Sequence, residues 1–397
     1  MDIVIVAQYL RDIENFDENN SRFVYLAKML RDRKHKVEIV TSDFHHSLKV
    51  HFATVGKLEG IKVTALHEPG YSKNVSLKRF FSHHVLAKSI LGYLEKRDRP
   101  DAVYVAVPSL SVAEKCAAFC QRFHIKFVVD IQDLWPEAFK MVVRIPFINS
   151  IVFYPMKKQA DKIYSAADKI VAVSKTYADR GMKVNTKCKN AAIAFLGTDK
   201  SIFDKCATSG KVIANENDKV ITIVYIGALS RSYDIECVID AIANMKANKN
   251  VQLLVMGDGP LRNQFESFAK TKKIAYRFTG AVPYPKMVEE LVRCDIAVNP
   301  IRKGSAGSII NKVGDYAMAG LPVVNSQENF EYRNLLDVYN AGINCECENV
   351  DDMANAFEKL VSNSALRKQM GINSRKIGEE KIDRGYSYKK IISTIEC

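Results

Sequence analysis

Residues 220–260 read VITIVYIGALSRSYDIECVIDAIANMKANKNVQLLVMGDGP. An apolar, β-branched run from Val220 to Ile226 gives way to helical spacing around Ile235–Met245, and a second run follows at Val251–Met256. Short continuous apolar runs are strands covered on both faces, and a helix between two of them makes the β-α-β unit of a parallel sheet. The chain opens in the same way. Ile3–Ala7 precedes a helical pattern over Asn20–Arg33, with Phe23, Leu26, Ala27 and Leu30 on one face, and then Val37–Val40.

Working outward, the alternation continues through Ile61–Leu66, a helix around Leu77–Leu94, Ala102–Val107, a helix around Val112–Phe123, Phe127–Val129 and Ile170–Val173. After Met256 it runs through a helix around Leu261–Ala269, Ala275–Thr279, Ile296–Asn299, a helix near Ile309–Ala319, and Pro322–Asn325. The pattern lapses into polar sequence between Thr198 and Lys219. Two doubly wound α/β domains are therefore expected: residues 1–200, a linker at 201–219, and residues 220–375. A helical segment at 376–397 is expected to pack back on the first domain. Ligands of such sheets lie beyond the carboxyl ends of the strands, so two facing domains would share a crevice.

The 397 residues are 47% hydrophobic and 26% charged, which excludes a disordered or fibrous chain. No run approaches the ~20 apolar residues of a membrane span, and the opening MDIVIVAQYL lacks an export signal, so a cytoplasmic location is expected. Nine cysteines without a Cys-x-x-Cys pair point to reduced thiols, with Cys116 and Cys120 in a helix core. The adjacent pairs His45–His46 and His83–His84 point apart and no Asp-x-Asp occurs, so no metal is expected. Residues 1–200 carry +11 of the net charge of +13, a bias that favours an anionic surface or ligand.

Chemistry should sit just after strands. Gly227-Ala228-Leu229-Ser230-Arg231-Ser232 lets a ligand approach backbone, and Arg231 adds a positive charge. Gly257-Asp258-Gly259-Pro260 departs from the dinucleotide fingerprint, because Arg262 stands where the third glycine belongs. In Asn299–Val324, NPIRKGSAGSIINKVGDYAMAGLPVV, a small-residue loop leads to a helix expected to start near Ser308. Its N–H groups and Lys312 suit a diphosphate, and Asp315, about two turns into that helix, suits a ribose diol. In the first half, VDIQDLWPE puts Asp133 and the only tryptophan just past a strand, where a carboxylate can bind hydroxyls or manage a proton. Asp130 reads as structural.

These elements resemble the retaining, nucleotide-sugar-dependent glycosyltransferases of family 4, which have the GT-B fold. The matching segments are NNSRFVYLAKMLRDRKHKVEIVTSDF, DIQDLWPE, AADKIVAVSKTYADRG, YIGALSRSYDIECVIDAI, VMGDGP, FTGAVP, CDIAVNP and NKVGDYAMAGLPVV. The DLWPE and NKVGDYAMAGLPVV forms resemble the branch that builds bacterial capsule and O-antigen units on a lipid carrier.

The resemblance implies a nucleotide sugar, with a UDP-N-acetylhexosamine favoured, bound by the second domain. A lipid-linked saccharide acceptor would be bound by the first, with Asn20 and Ser21 among its contacts. It maps the nucleobase to Ala281 and Val282, the diphosphate to Arg231, Ser308, Ile309, Ile310, Asn311 and Lys312, the ribose to Asp315 and the donor sugar to Gly307. Asp133 and Gln132 take the catalytic positions, and no metal or other cofactor is implied. The sequence departs from the family pattern at Gly307, where a glutamate is usual, at Ala228, where a basic residue is usual, and at Gln132, where histidine is common. The expected setting is peripheral, on the anionic inner face of the cell membrane, through basic amphipathic stretches at Ser76–Arg97 and Lys140–Lys158. Self-association is compatible with this reading and nucleic-acid binding is not. The rival reading is a non-catalytic GT-B partner subunit.

Overall fold

A computed structural model of the chain describes residues 1–10, 12–16, 21–74, 76–138, 152–208, 220–246, 250–305 and 308–397. Two units divide it. Met1–Ala194 and Tyr388–Cys397 form the first, and Phe195–Ser387 the second.

In the first unit, strands β1 (Asp2–Val6), β2 (Lys36–Ser42), β5 (Lys62–Leu66), β6 (Ala102–Val107), β7 (Lys126–Ile131), β8 (Lys169–Ala172) and β9 (Ala192–Ile193) form a parallel sheet in the order β5-β2-β1-β6-β7-β8-β9. A small hairpin of β3 (Phe44–His45) and β4 (Val50–His51) follows β2. Helix α1 (Arg22–Asp32) begins where the Ser21 hydroxyl accepts a hydrogen bond from the Val24 N–H. The spaced residues Phe23, Leu26, Ala27 and Leu30 of α1 bury against Ile3, Ile5 and Ala7. Helix α2 (Leu77–Lys96) is capped by Ser76 and buries Leu86, Ala87, Ile90 and Leu94. Helices α3 (Leu110–Phe123) and α4 (Tyr154–Ala166) complete the elements needed below.

The second unit contains β10 (Ile221–Ile226), β11 (Val251–Met256), β12 (Ala275–Gly280), β13 (Ile296–Asn299), β14 (Val323–Asn325) and β15 (Gly342–Asn344), all parallel, in the order β12-β11-β10-β13-β14-β15. Ile221, Ile223 and Tyr225 of β10 enter the core on one face of the sheet, and Val224 and Ile226 enter the core on the other. That period of two, apolar on both sides, is why the strand reads as an uninterrupted apolar run. Strand order reverses between β10 and β13, which marks the switch point where a doubly wound sheet opens for a ligand.

The structure departs from the expected linker. Lys200–Ala207 is a helix whose Phe203 and Ala207 are buried in the second core, and Asp199 caps it. Residues 209–219 lie outside the described residues. After a π-helical turn at Gly378–Ile382, the chain delivers Tyr388, Ile391, Ile392 and Ile395 to the first core. All nine cysteines are free thiols, and Cys116 and Cys120 are buried in α3.

A buried ion pair ties the first unit together. Arg22 at the start of α1 donates to both oxygens of Asp130 on β7, at 2.8 and 3.2 Å, and a third donor reaches the Ala194 carbonyl at 3.1 Å and the Tyr388 hydroxyl at 3.3 Å. Neither ion reaches solvent appreciably, so removing one strands the other. Asp130→Asn is expected to lower the unfolding free energy by about 3–5 kcal/mol in urea titrations, while Arg22→Met with Asp130→Leu recovers most of the loss. A loss below about 1 kcal/mol for the single variant would remove the pair from this role.

Candidate functional site

The carboxyl ends of β10 and β13 are held in fixed relation by one side chain. The buried Tyr316 hydroxyl accepts from the Ile226 N–H at 2.9 Å and donates to the Val298 carbonyl at 3.2 Å. Tyr316 lies on a short helix, Lys312–Met318. Lys312, its first residue, points its ammonium at the switch point.

That ammonium is the central feature of the site. Lys312 is only 8% exposed, and its Nζ has no hydrogen-bond partner among the described residues. It lies 3.8 Å from the ring centroid of Tyr225 and 3.8 Å from that of Tyr233. Burial alone pushes its pKa well below the ordinary lysine value. Two desolvated cation–π contacts, about 2 kcal/mol or more each, offset much of the several kcal/mol that burying an ammonium costs, while no carboxylate pairs with it among the described residues. Gly227 makes room for it. A Cβ there would fall 2.9 Å from Nζ, and its φ of +125° already suits glycine.

Beside Lys312, the N–H groups of residues 308 to 312 meet no acceptor among the described residues, and a run of free N–H groups is a place for an anion. The helix itself starts at Lys312, later than the expected Ser308, because Ser308–Asn311 forms the approach. Asp315 therefore sits in the first helical turn and not two turns in. Its Oδ1 accepts from Tyr284 at 2.9 Å and from Thr198 at 3.2 Å, which leaves Oδ2 for another donor. Burial raises its pKa to about 6.

The approach loop is pinned from below by buried amides. Gln327 Nε2 donates to the Ser308 carbonyl at 2.6 Å, and Asn299 Nδ2 donates to Gln327 Oε1 and to Asn325 Oδ1. Asn325 in turn donates to Asn344, so the last residues of β13, β14 and β15 form a ladder. Sequence reading missed this network. Its signal was an asparagine at the end of three successive apolar strands.

Other expected positions fall as follows. Arg231 is exposed in the turn after β10, with no partner among the described residues. Ala281 is exposed and Val282 half-buried, immediately after β12. Gly257 and Gly259 serve the backbone: a Cβ on Gly257 would sit 1.8 Å from the Gly227 carbonyl oxygen and one on Gly259 2.3 Å from that of Leu229. Gly307 and Asn20 lie outside the described residues, as does most of Lys140–Lys158.

In the first unit, Asp133 accepts from the Leu134 N–H at 2.9 Å and the Tyr177 hydroxyl at 3.4 Å, and burial raises its pKa. Gln132 Nε2 donates one hydrogen to Asp130 at 2.9 Å, which leaves its second N–H and its carbonyl oxygen for a ligand. The Ser21 hydroxyl caps α1. Asp43, His51 and His67 bring potential metal-ligating atoms within 4.8 Å of one another. There His67 Nδ1 already meets Asp43 at 2.9 Å and His51 Nε2 meets the Glu68 carbonyl at 2.7 Å.

Two family models match the chain, Glycosyltransferase Family 4 over residues 20–191 and Glycosyl transferases group 1 over residues 210–377. An uncharacterized glycosyltransferase of Methanocaldococcus jannaschii is 24% identical over 231 residues, and the match spans 57% of either chain. The chain thus covers little more than half the length of that relative. Among solved structures, the sucrose-phosphate synthase of Thermosynechococcus elongatus superimposes with a TM-score of 0.76 at 13% identity, over 99% of this chain and 97% of that one. Anabaena HepE, solved in complex with UDP, gives 0.69 at 14% identity over 100% of both chains. These likenesses show the GT-B fold.

Lys312→Met, which keeps the volume and removes the buried charge, is expected to raise the unfolding free energy of the ligand-free chain by about 1–4 kcal/mol. The gain should shrink as pH rises toward about 10.4, because the folded amine loses its proton before the unfolded one does. Urea unfolding at pH 7 and pH 9.5 reads both effects, and a destabilised variant would contradict an unpaired ammonium.

Proposed function

We propose that this chain, which belongs to the family 4 and group 1 glycosyltransferases, moves a sugar from a nucleoside-diphosphate sugar to a lipid-linked saccharide with retention of configuration. One observation carries the reading: a buried ammonium without a counter-ion at the switch point of the second sheet, beside a run of unpaired N–H groups. A diphosphate is the ligand that satisfies both, since it brings negative charge and several acceptor oxygens.

In this reading Lys312, the N–H groups of Ser308, Ile309, Ile310 and Asn311, and the exposed Arg231 hold the diphosphate. As the bond from the sugar to the diphosphate breaks, the leaving oxygen gains charge that these preorganised groups stabilise. Asp315 accepts from the ribose hydroxyls through Oδ2, and Ala281 and Val282 line the base. Gly307 is assigned to the donor sugar. Among the described residues no side chain is assigned as a covalent nucleophile, so the acceptor hydroxyl approaches the face that the diphosphate leaves. Its oxygen bonds to the anomeric carbon as the bond to the diphosphate breaks, and its proton passes to the departing diphosphate oxygen. Asp133 and the Gln132 amide orient hydroxyls. Asn20 and Ser21 are assigned to the acceptor.

UDP is favoured as the nucleotide, supported by the UDP in the HepE structure, and an N-acetylhexosamine as the sugar. The lipid-linked acceptor of surface polysaccharide assembly is supported by the basic first half and by the surface of α2. Leu77 and Phe81, one helical turn apart, are 87% and 62% exposed, with Lys73 and Lys78 exposed beside them. Among the described residues no helix is long and apolar enough to cross a membrane. A peripheral contact with the anionic inner leaflet fits these residues.

Transfer from UDP-N-acetylglucosamine to a lipid-linked saccharide tests the assignment. Lys312→Ala should lower kcat/KM by about 10²–10³, the cost of losing one preorganised charge donor. Asp133→Asn should also slow transfer, and unchanged rates in both variants would overturn the roles given to them. A chain that neither transfers nor hydrolyses any nucleotide sugar would favour the partner-subunit reading.

Vesicles containing anionic lipid should pellet the protein at low salt. Leu77→Glu with Phe81→Glu should abolish pelleting and leave UDP binding unchanged. Equal pelleting of the double variant would move the membrane contact elsewhere.

A further inference from the structure

The first unit holds a second buried cation that no carboxylate meets at ion-pair distance among the described residues. Arg79, near the start of α2, is 8% exposed and stacks over three rings, with its guanidinium carbon 4.7 Å from the Trp135 centroid, 5.5 Å from Tyr71 and 5.9 Å from Tyr9. Its Nη1 donates to the Asn74 carbonyl at 2.7 Å and its Nη2 to the Tyr9 hydroxyl at 2.9 Å, while its buried Nε has no partner. Other arginines withdrawn from solvent in this unit meet carboxylates: Arg22 meets Asp130, Arg97 meets Asp2 and Glu38, and Arg180 meets Glu137 and Asp161. Among the described residues Arg79 forms no ion pair. The nearby buried acid, Glu68, accepts from Gln8, Ser42 and Ser82, lies 4.0 Å from His83, and sets one negative charge against the two cations of this place.

A second cation shares the place. Lys49 Nζ lies 4.6 Å from the same Tyr71 ring and donates to the Asn74 side chain at 2.5 Å. Burial and the nearby Arg79 charge depress its pKa, and the Glu68 charge offsets only part of this. Two cations gathered on one tyrosine and one asparagine repel each other, and buried charge is retained at such a cost where a partner arrives to neutralise it. Asn74 is exposed, and Lys49 and Tyr9 are partly so, which leaves an approach from solvent. His83 adds no positive charge to the floor, where it lies 4.0 Å from Glu68. Burial pushes its pKa down to about 3, and its ring stacks on Trp135 at 6.0 Å.

We propose that Arg79 and Lys49 form a phosphoryl-binding site that takes the diphosphate of the lipid-linked acceptor. The site deepens the proposed function and rests on it for the source of the phosphate. Arg79 supplies the planar donor for phosphate oxygens and Lys49 the point charge. This site is separate from the Lys312 site, which lies in the other unit.

Trp135 is the only tryptophan of the chain and touches Arg79, so its fluorescence reports on the site directly. Inorganic diphosphate and a short-chain prenyl diphosphate should each change it saturably, in the wild type and equally in Lys312→Met. Arg79→Gln should weaken that response at least tenfold and Lys49→Gln several-fold, with UDP binding retained in both. Lys49 is on the surface hairpin, so Lys49→Gln decides the matter if Arg79→Gln disturbs the fold. No saturable response in the wild type, or equal affinity in Lys49→Gln, would overturn the site. Tighter binding of the prenyl probe supports the lipid source. Equal binding of the two probes supports the site and counts against the lipid acceptor. Loss of sugar transfer with an intact diphosphate response would remove the transferase reading and leave the site standing.

Discussion

An ammonium taken out of water needs an anion, and Lys312 is kept out of water without one. Much of the second unit is arranged around that imbalance. Tyr225 and Tyr233 give the charge two aromatic faces, which soften the penalty without cancelling it. Gly227 leaves the space that any side chain would fill, and Tyr316 clamps the two strands between which the space opens. The asparagine ladder and Gln327 hold the Ser308 carbonyl, so the N–H groups of the approach loop stay aligned beside the lysine. Preorganisation of this kind is useful when charge develops during a reaction, because the donors need not reorganise at that moment.

The first unit shows the contrast between a charge that stabilises and one held in reserve. Arg22 and Asp130 satisfy each other completely, and they join helix α1, strand β7 and the end of the chain. Arg79 has aromatic faces and neutral acceptors but no carboxylate. The same physical test, asking of each buried cation where its anion is, separates a structural pair from two candidate ligand sites.

Legibility in the sequence followed the physics of each feature. Most strands of both sheets were readable because a β-branched run buried on two faces leaves no polar interruption, as in Ile221–Ile226, whereas the short edge strands β9 and β15 gave no such run and were missed. The helix after Ser308 was placed too early, because small and apolar residues there satisfy a helical period while the backbone follows an approach loop. Lys200–Ala207 was read as linker because its polar residues dominate. Only Phe203 and Ala207 are buried, and two inward side chains in eight residues make a weak signal. The Gly-Asp-Gly-Pro turn departs from the dinucleotide fingerprint in sequence, and its glycines answer to a neighbouring backbone that no local pattern reveals.

By itself the sequence determined the α/β class, the two doubly wound sheets and the segments that carry family motifs, since these depend on periodicity and on local turn chemistry within short windows. Only the tertiary structure decided which charges lack partners. Pairing depends on residues far apart in the chain, such as Arg22 with Asp130 or Lys312 with Tyr225, and a lysine in a string of letters looks the same whether water or a tyrosine ring surrounds it.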